Sequence, residues 1–190
     1  MNPRQFHAIA FSGSLRDEST NTALVLLAQR LAPPELQITV IDWVDQLPWV
    51  NPDLEADPPE VLQRWWQQLR SADALLVGMP EHNAHPTALA KNALDWATRP
   101  PQDRAIAGKV VAFLSAAGRS GGANAQATFA RVLQHYGAVV VDEPRVQLSH
   151  IAGRIAADGT TDDEEIVEAV NAKLRAVLAA LTAHNETLVL

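Results

Sequence analysis

The chain has 190 residues, the length of one ordinary domain. Its 15 basic and 22 acidic side chains give a net charge of −7, which argues against nucleic acid or an anionic membrane as the main partner, because both need a basic face. It is 47% hydrophobic and has no cysteine, so it reads as a globular chain without disulfides, thiolate catalysis, iron–sulfur clusters or cysteine zinc sites.

A first strand is predicted from His7 to Phe11, ending in the polar turn Ser12-Gly13-Ser14. A helix follows from about Asn21, with Leu24, Leu27, Ala28 and Leu31 on one face, Ser19 or Thr20 as its cap and Pro33-Pro34 as its stop. The second strand, Leu36 to Ile41, alternates at Ile38 and Val40. An irregular arm, Asp42 to Asp57, holds Trp43, Pro48, Trp49 and Pro52. Asp57 reads as an N-cap, with Pro58 at the first helical position and Glu60 three residues on. That helix carries Leu62, Trp65, Trp66 and Leu69. The third strand, Ala74 to Met79, is continuously apolar, as a strand buried on both faces is. Pro80 to Pro86 reads as a loop and Thr87 to Arg99 as a helix, with Leu89, Ala93, Trp96 and Ala97 inward and Pro100-Pro101 ending it. The fourth strand is Lys109 to Ser115. A loop with Gly118, Gly121 and Gly122 leads to a helix that runs to Tyr136, with Phe129, Val132 and Leu133 inward and Gly137 capping it. Ala138 to Val141 is a fifth strand with a weak continuation at Arg145 to Leu148. The last helix opens on a capping box, Thr161 to Glu164, and buries Ile166, Val170, Leu174, Val177 and Leu181. Five strand–helix alternations predict one α/β domain over residues 1–190, a parallel sheet of order 2-1-3-4-5 with helices on both faces.

In such a sheet ligands bind beyond the carboxyl ends of the strands. Three loops occupy that edge. Ser12 to Asn21 joins a strand to a helix N-terminus, whose free amides and dipole favour an anion, and Arg16 with the hydroxyls can complete a phosphate cage. It lacks the Gly-Lys-Ser/Thr of a P-loop, and Gly13 is its sole glycine, so it is not the dinucleotide fingerprint. An ordinary turn with a capping serine reads equally well. Pro80-Glu81-His82-Asn83-Ala84-His85-Pro86 is either a backbone platform for a planar ligand or a surface turn; two histidines without a third ligand nearby do not make a metal site. Ser115 to Ala123 holds three glycines, which permit close backbone approach and also serve plain packing. No Gly-x-Ser-x-Gly elbow supports a serine hydrolase at Ser14 or Ser120. No apolar run approaches the ~18 residues of a membrane span, and Met1 to His7 shows no signal-peptide pattern, so a cytoplasmic protein is expected. Trp65 and Trp66 point about 100° apart on their helix, which places one of them at a subunit interface, where tryptophan is enriched. Trp49 can do likewise or roof a pocket.

Taken together, Ser12-Gly13-Ser14-Leu15-Arg16 with Ser19 and Asn21, Pro80-Glu81-His82-Asn83 with Lys91-Asn92-Ala93-Leu94-Asp95-Trp96, and the arm Leu47 to Glu55 resemble the NADPH-dependent FMN reductase family, a flavodoxin-like group that includes chromate, quinone and azo-dye reductases. The resemblance runs from about Ile9 to Tyr136. It implies a flavodoxin-like α/β/α sandwich and an FMN phosphate held by Ser14, Arg16, Ser19 and Asn21, with Thr20 beside them. It implies a flavin ring against the backbone of Pro80, Glu81, His82 and Asn83, with the loop of Ser115, Gly118 and Gly121 along its other edge. The implied reaction carries hydride from NADPH or NADH through FMN to a small acceptor: flavin, quinone, azo compound or metal oxyanion. A flavin-binding electron carrier without its own NAD(P)H site is the alternative. The resemblance also implies a homodimer or homotetramer and no catalytic side chain. One departure is plain: the family usually has tyrosine where this chain has His82, a smaller ring. Asn92 reads either as a link to the flavin loop or as support for its own helix.

Overall fold

Strand β1, Phe6–Ser12, buries Ile9 and Phe11 on one side and Ala8 and Ala10 on the other, as the two-residue period of an extended chain dictates. This computed structural model describes residues 4–189. Met1 to Pro3, part of the stretch read for a signal pattern, and Leu190 lie outside the described residues.

Helix α1 is Thr20–Leu31 and β2 is Leu36–Val40. Two short 3-10 turns, Val44–Gln46 and Pro52–Glu55, shape the arm before α2, Glu60–Ser71. Strand β3, Ala74–Gly78, is buried along its whole length. Then come β4 (Glu81–His82), β5 (His85–Pro86), α3 (Ala88–Ala97), β6 (Val110–Ala117), α4 (Ala123–His135), β7 (Val139–Val140), β8 (Val146–Ser149) and α5 (Glu164–Val189). The sheet runs β2-β1-β3-β6-β7, with β8 also paired to β6 and every pairing parallel. This is the expected 2-1-3-4-5 order, flavodoxin-like, with its switch point between β1 and β3. The small β1 residues Ala8 and Ala10 share a core with Leu24 and Ala28 of α1 and Val170 and Leu174 of α5. Ile9 and Phe11 share the opposite core with α2, α3 and α4.

Four expectations are corrected. Helix α2 starts at Glu60 with Pro59 as its N-cap and no side-chain cap; Asp57 does not cap it, because Pro59 forces Pro58 out of the helical region. Helix α5 starts at Glu164, where the Asp163 carboxylate accepts from the amides of Glu165 and Ile166 at 3.1 and 3.3 Å, while Thr161 bonds the Arg154 carbonyl instead. The segment Pro80 to Pro86 holds the β4–β5 hairpin, turned at Asn83 and Ala84 with φ of +51° and +61°, the sign pattern of a tight hairpin turn. Finally, neither Trp65 nor Trp66 needs an interface. Trp65 packs edge-on against Phe11 and donates to the Ala93 carbonyl, whereas Trp66 packs on Trp96 and donates to that residue's carbonyl. The sheet and α3 meet α2 from two directions and cover both rings.

The fifth strand position is split. Val139 and Val140 pair with the start of β6, and Val146 to Ser149 with its end. Between them Pro144 has no amide to give. Lys173 of α5, 1% exposed, donates to the carbonyls of Val141 at 2.9 Å and Asp142 at 3.1 Å in that gap. Burial pushes its pKa from 10.5 down to about 8, against the attraction of Asp142 and Glu143 and aided by Arg145. The folded chain therefore holds this proton less tightly than the unfolded chain. The penalty is fully present below pH 8 and is relieved as pH rises towards 10.5, so stability rises across that window. The expected rise from this group is about 3 kcal/mol. Urea unfolding of the wild type and Lys173→Met across the window tests it: the variant's curve is flatter by that amount, and equal slopes would refute the assignment.

Candidate functional site

A cleft of about 660 Å³ opens beyond the carboxyl ends of β1, β3 and β6, at the switch point where this architecture binds ligands. Its size suits a small organic molecule.

The first loop supplies Ser14, Arg16 and Ser19 to the lining, and the first turn of α1 supplies Thr20 and Asn21. Ser19 has extended backbone and caps α1, its hydroxyl accepting from the Thr22 amide at 3.3 Å. The amides of Thr20 and Asn21 begin the helix and have no partner in the preceding turn. Arg16 is exposed and enters no ion pair among the described residues. Asn21 behaves differently from its neighbours. Its side-chain amide donates to the Ala116 carbonyl at 2.8 Å and accepts from the Ala116 amide at 2.9 Å, so its polar atoms are committed to β6.

From the second loop, Pro80, Glu81 and His82 line the cleft, whereas Asn83 sits at the hairpin tip outside the lining. From the third, Gly118 lines it, and a Cβ built on Gly118 meets no protein atom within 4 Å. The room beside that glycine belongs to the cleft. Ser115 is fully buried behind it and accepts from Gln126 at 2.9 Å. Gly121, at φ +59°, presses on the backbone of Gln147, where a Cβ would come within 2.5 Å of the carbonyl oxygen. Neither Ser115 nor Gly121 belongs to the lining.

Sequence reasoning missed several contributors. Thr87 caps α3 and its hydroxyl donates to the Gly13 carbonyl at 2.6 Å, tying the first loop to the helix after the second. Leu15 and Leu89 are apolar lining residues. His150, Ile151 and Ala152 enter from beyond β8, with His150 at φ +54°. The signal for them was the polar pair Ser149-His150 at the end of a weak strand, and it needed the β6–β8 pairing to be read. Asn92 fastens the arm: it accepts from the Val50 amide at 3.0 Å and donates to the Pro48 carbonyl at 3.0 Å. Lys91 pairs with Asp95 on the same helix. Trp49 is 72% exposed and does not line the cleft. Among the described residues, no cluster of three or more histidines and carboxylates could hold a metal ion.

The donor set fits a mononucleotide. One end offers a helix N-terminus, hydroxyls and a guanidinium for an anion. Beyond it, a hairpin backbone and a glycine leave room for a flat ring.

Residues 7–153 match the family model of NADPH-dependent FMN reductase. An NAD(P)H-dependent FMN reductase of Pseudomonas aeruginosa is 36% identical over 171 residues, covering 89% of this chain and 91% of its own. A 2-hydroxy-1,4-benzoquinone reductase of a Burkholderia species is 34% identical over 154 residues, 80% of this chain and 84% of its own. Among solved structures, FerB, a flavoenzyme NAD(P)H:(acceptor) oxidoreductase from Paracoccus denitrificans, superposes with a TM-score of 0.86 at 33% identity, covering 94% of this chain and 98% of that one. With its cleft, its topology and its sequence in agreement, the chain belongs to the NADPH-dependent FMN reductase family.

Proposed function

We propose that residues 1–190 act as one flavodoxin-like domain that binds FMN in this cleft and reduces a small acceptor, a quinone or a free flavin, at the expense of NAD(P)H. The observation that carries the reading is the junction of an anion-binding helix N-terminus with a ring-sized cleft at the β1/β3 switch point. Relatives named as FMN and quinone reductases support the acceptor class. Hydride transfer is the chemistry that FMN supplies when bound. The chain's own part is to bind and orient. Arg16, Ser14, Ser19 and the first α1 amides hold the phosphate. The backbone of Pro80 to His82 and Gly118 flank the ring, and Leu89 and Ile151 exclude water. A visible spectrum of the protein with FMN, recorded before and after NADPH and then a quinone, tests the reading. Flavin bands that bleach with NADPH and return with the quinone are expected; no saturable FMN binding would overturn it.

His82→Tyr is expected to tighten FMN about two- to tenfold, because a larger ring adds stacking surface. A titration followed by flavin fluorescence measures this, and no gain in affinity would remove the stacking role of residue 82.

The reading includes a homodimer or homotetramer. Trp49 and Val50 are exposed, and the backbone on either side of Trp49 is pinned, since Trp96 donates to the Pro48 carbonyl at 2.7 Å and Asn92 accepts from the Val50 amide. An exposed tryptophan on a pinned backbone is a typical interface anchor. Sedimentation is expected to give a dimer or tetramer, and a monomer would eliminate this part. The reading also places the protein in the cytoplasm, where NAD(P)H is available; among the described residues no helix is long and apolar enough to cross a membrane.

A further inference from the structure

Among the described residues, Glu81 is the one acidic side chain that lines the cleft, yet its carboxylate is already fully engaged elsewhere. Oε1 accepts from the Ser120 hydroxyl at 2.7 Å and from the Asn124 side-chain amide at 3.1 Å. Oε2 accepts from the backbone amides of Asn124 at 2.8 Å and Ala125 at 3.1 Å. Four donors fill the acceptor sites of a carboxylate. Three of these donor groups belong to the first turn of α4. That helix has Gly122 as its N-cap, at φ +91°, with no side chain to offer its first amides. A side chain there has no room, because a Cβ would stand 2.4 Å from that of Ser115. The missing cap therefore comes from Glu81, 43 residues away in sequence, and its charge suits the positive end of the helix. Burial raises its pKa, but the hydrogen bonds from Ser120, Ala125 and Asn124 outweigh this and hold the carboxyl below the usual range, so the clamp stays ionised.

We propose that Glu81 is a positioning residue for the FMN site: its carboxylate clamps the β4–β5 hairpin to the N-terminus of α4 and so sets the spacing between the two walls that flank the ring. This rests on the reading that the cleft holds FMN. The hairpin is a two-stranded ribbon turned at two left-handed residues, and such ribbons do not hold a shape unaided. With Glu81 bolted to α4, Pro80 and His82 on either side of it face the cleft in one geometry.

The experiment has two arms. In the first, hydrogen exchange is measured on the FMN-free protein. Glu81→Gln turns a donor group towards donors and is expected to speed exchange of the Asn124 and Ala125 amides about tenfold. Unchanged protection of those amides would overturn the clamp. In the second arm FMN affinity is measured for Glu81→Gln, for Ser120→Ala/Asn124→Ala, and for all three changes together. Ser120 and Asn124 do not line the cleft, so a clamp predicts that their loss weakens FMN about threefold, that Glu81→Gln weakens it about tenfold, and that the combined variant is no weaker than Glu81→Gln. Wild-type affinity in Ser120→Ala/Asn124→Ala, or fully additive losses, would mean that Glu81 acts on the cofactor directly and would overturn the proposal. If the wild type itself shows no saturable FMN binding, the FMN reading fails, and the exchange arm still decides whether the clamp exists.

Discussion

Arg16→Ala is expected to weaken FMN binding by about 10- to 100-fold while leaving the unfolding free energy of the FMN-free protein within about 0.5 kcal/mol of wild type. The side chain is exposed and has no carboxylate partner among the described residues, so the fold loses little without it. A phosphate held there would lose a charge-assisted contact, worth about 1.5–3 kcal/mol. In a chain of net charge −7, a phosphate in this cleft would depend on this guanidinium, the hydroxyls and the α1 amides. Arg16→Lys keeps the charge but not the fork and should fall between. Fluorescence titration with FMN reads the affinity and urea unfolding reads the fold. Wild-type FMN affinity in Arg16→Ala would show that the phosphate sits elsewhere.

Asn21→Ala is expected to do the reverse and strike the fold first, lowering the stability of the FMN-free protein by about 2–4 kcal/mol. The reason lies in the reciprocal pair with Ala116. Asn21 is 5% exposed, and deleting its amide leaves a buried N–H and a buried carbonyl of β6 without partners, each costing about 1–3 kcal/mol. Asn21→Asp keeps the acceptor for the Ala116 amide but sets a carboxylate oxygen against the Ala116 carbonyl, and it should also destabilise. Urea unfolding without FMN is the decisive measurement. Unchanged stability with lost FMN affinity would assign Asn21 to the phosphate, as the resemblance implied, rather than to the sheet.

These two residues, five apart and on either side of the α1 N-cap, show what was legible. The strand ends, the loop and the helix start came from local spacing: apolar residues at period two before Ser12, apolar residues at helical spacing after Asn21, and a capping serine between. The 2-1-3-4-5 order followed from strand–helix alternation, because parallel neighbours require crossovers and crossovers have one hand. The weakest boundaries were those where proline or side-chain capping competed, as at Pro58-Pro59 and Thr161 to Asp163. The β4–β5 hairpin was hidden because Ala84, not glycine, takes the second left-handed position of its turn.

The sequence by itself determined the layered α/β architecture and the loop whose helix N-terminus invites an anion, because both depend on residues within a few positions of one another. Tertiary structure alone decided what Asn21, Glu81, Trp65 and Trp66 do, and it alone brought His150 to the cleft. The partner of Asn21 is 95 residues away and those of Glu81 are 39 to 44 away. A polar side chain is free to meet a ligand when its lone pairs and protons are not already taken. Whether they are taken depends on which strand, helix end or loop the packed sheet sets beside them.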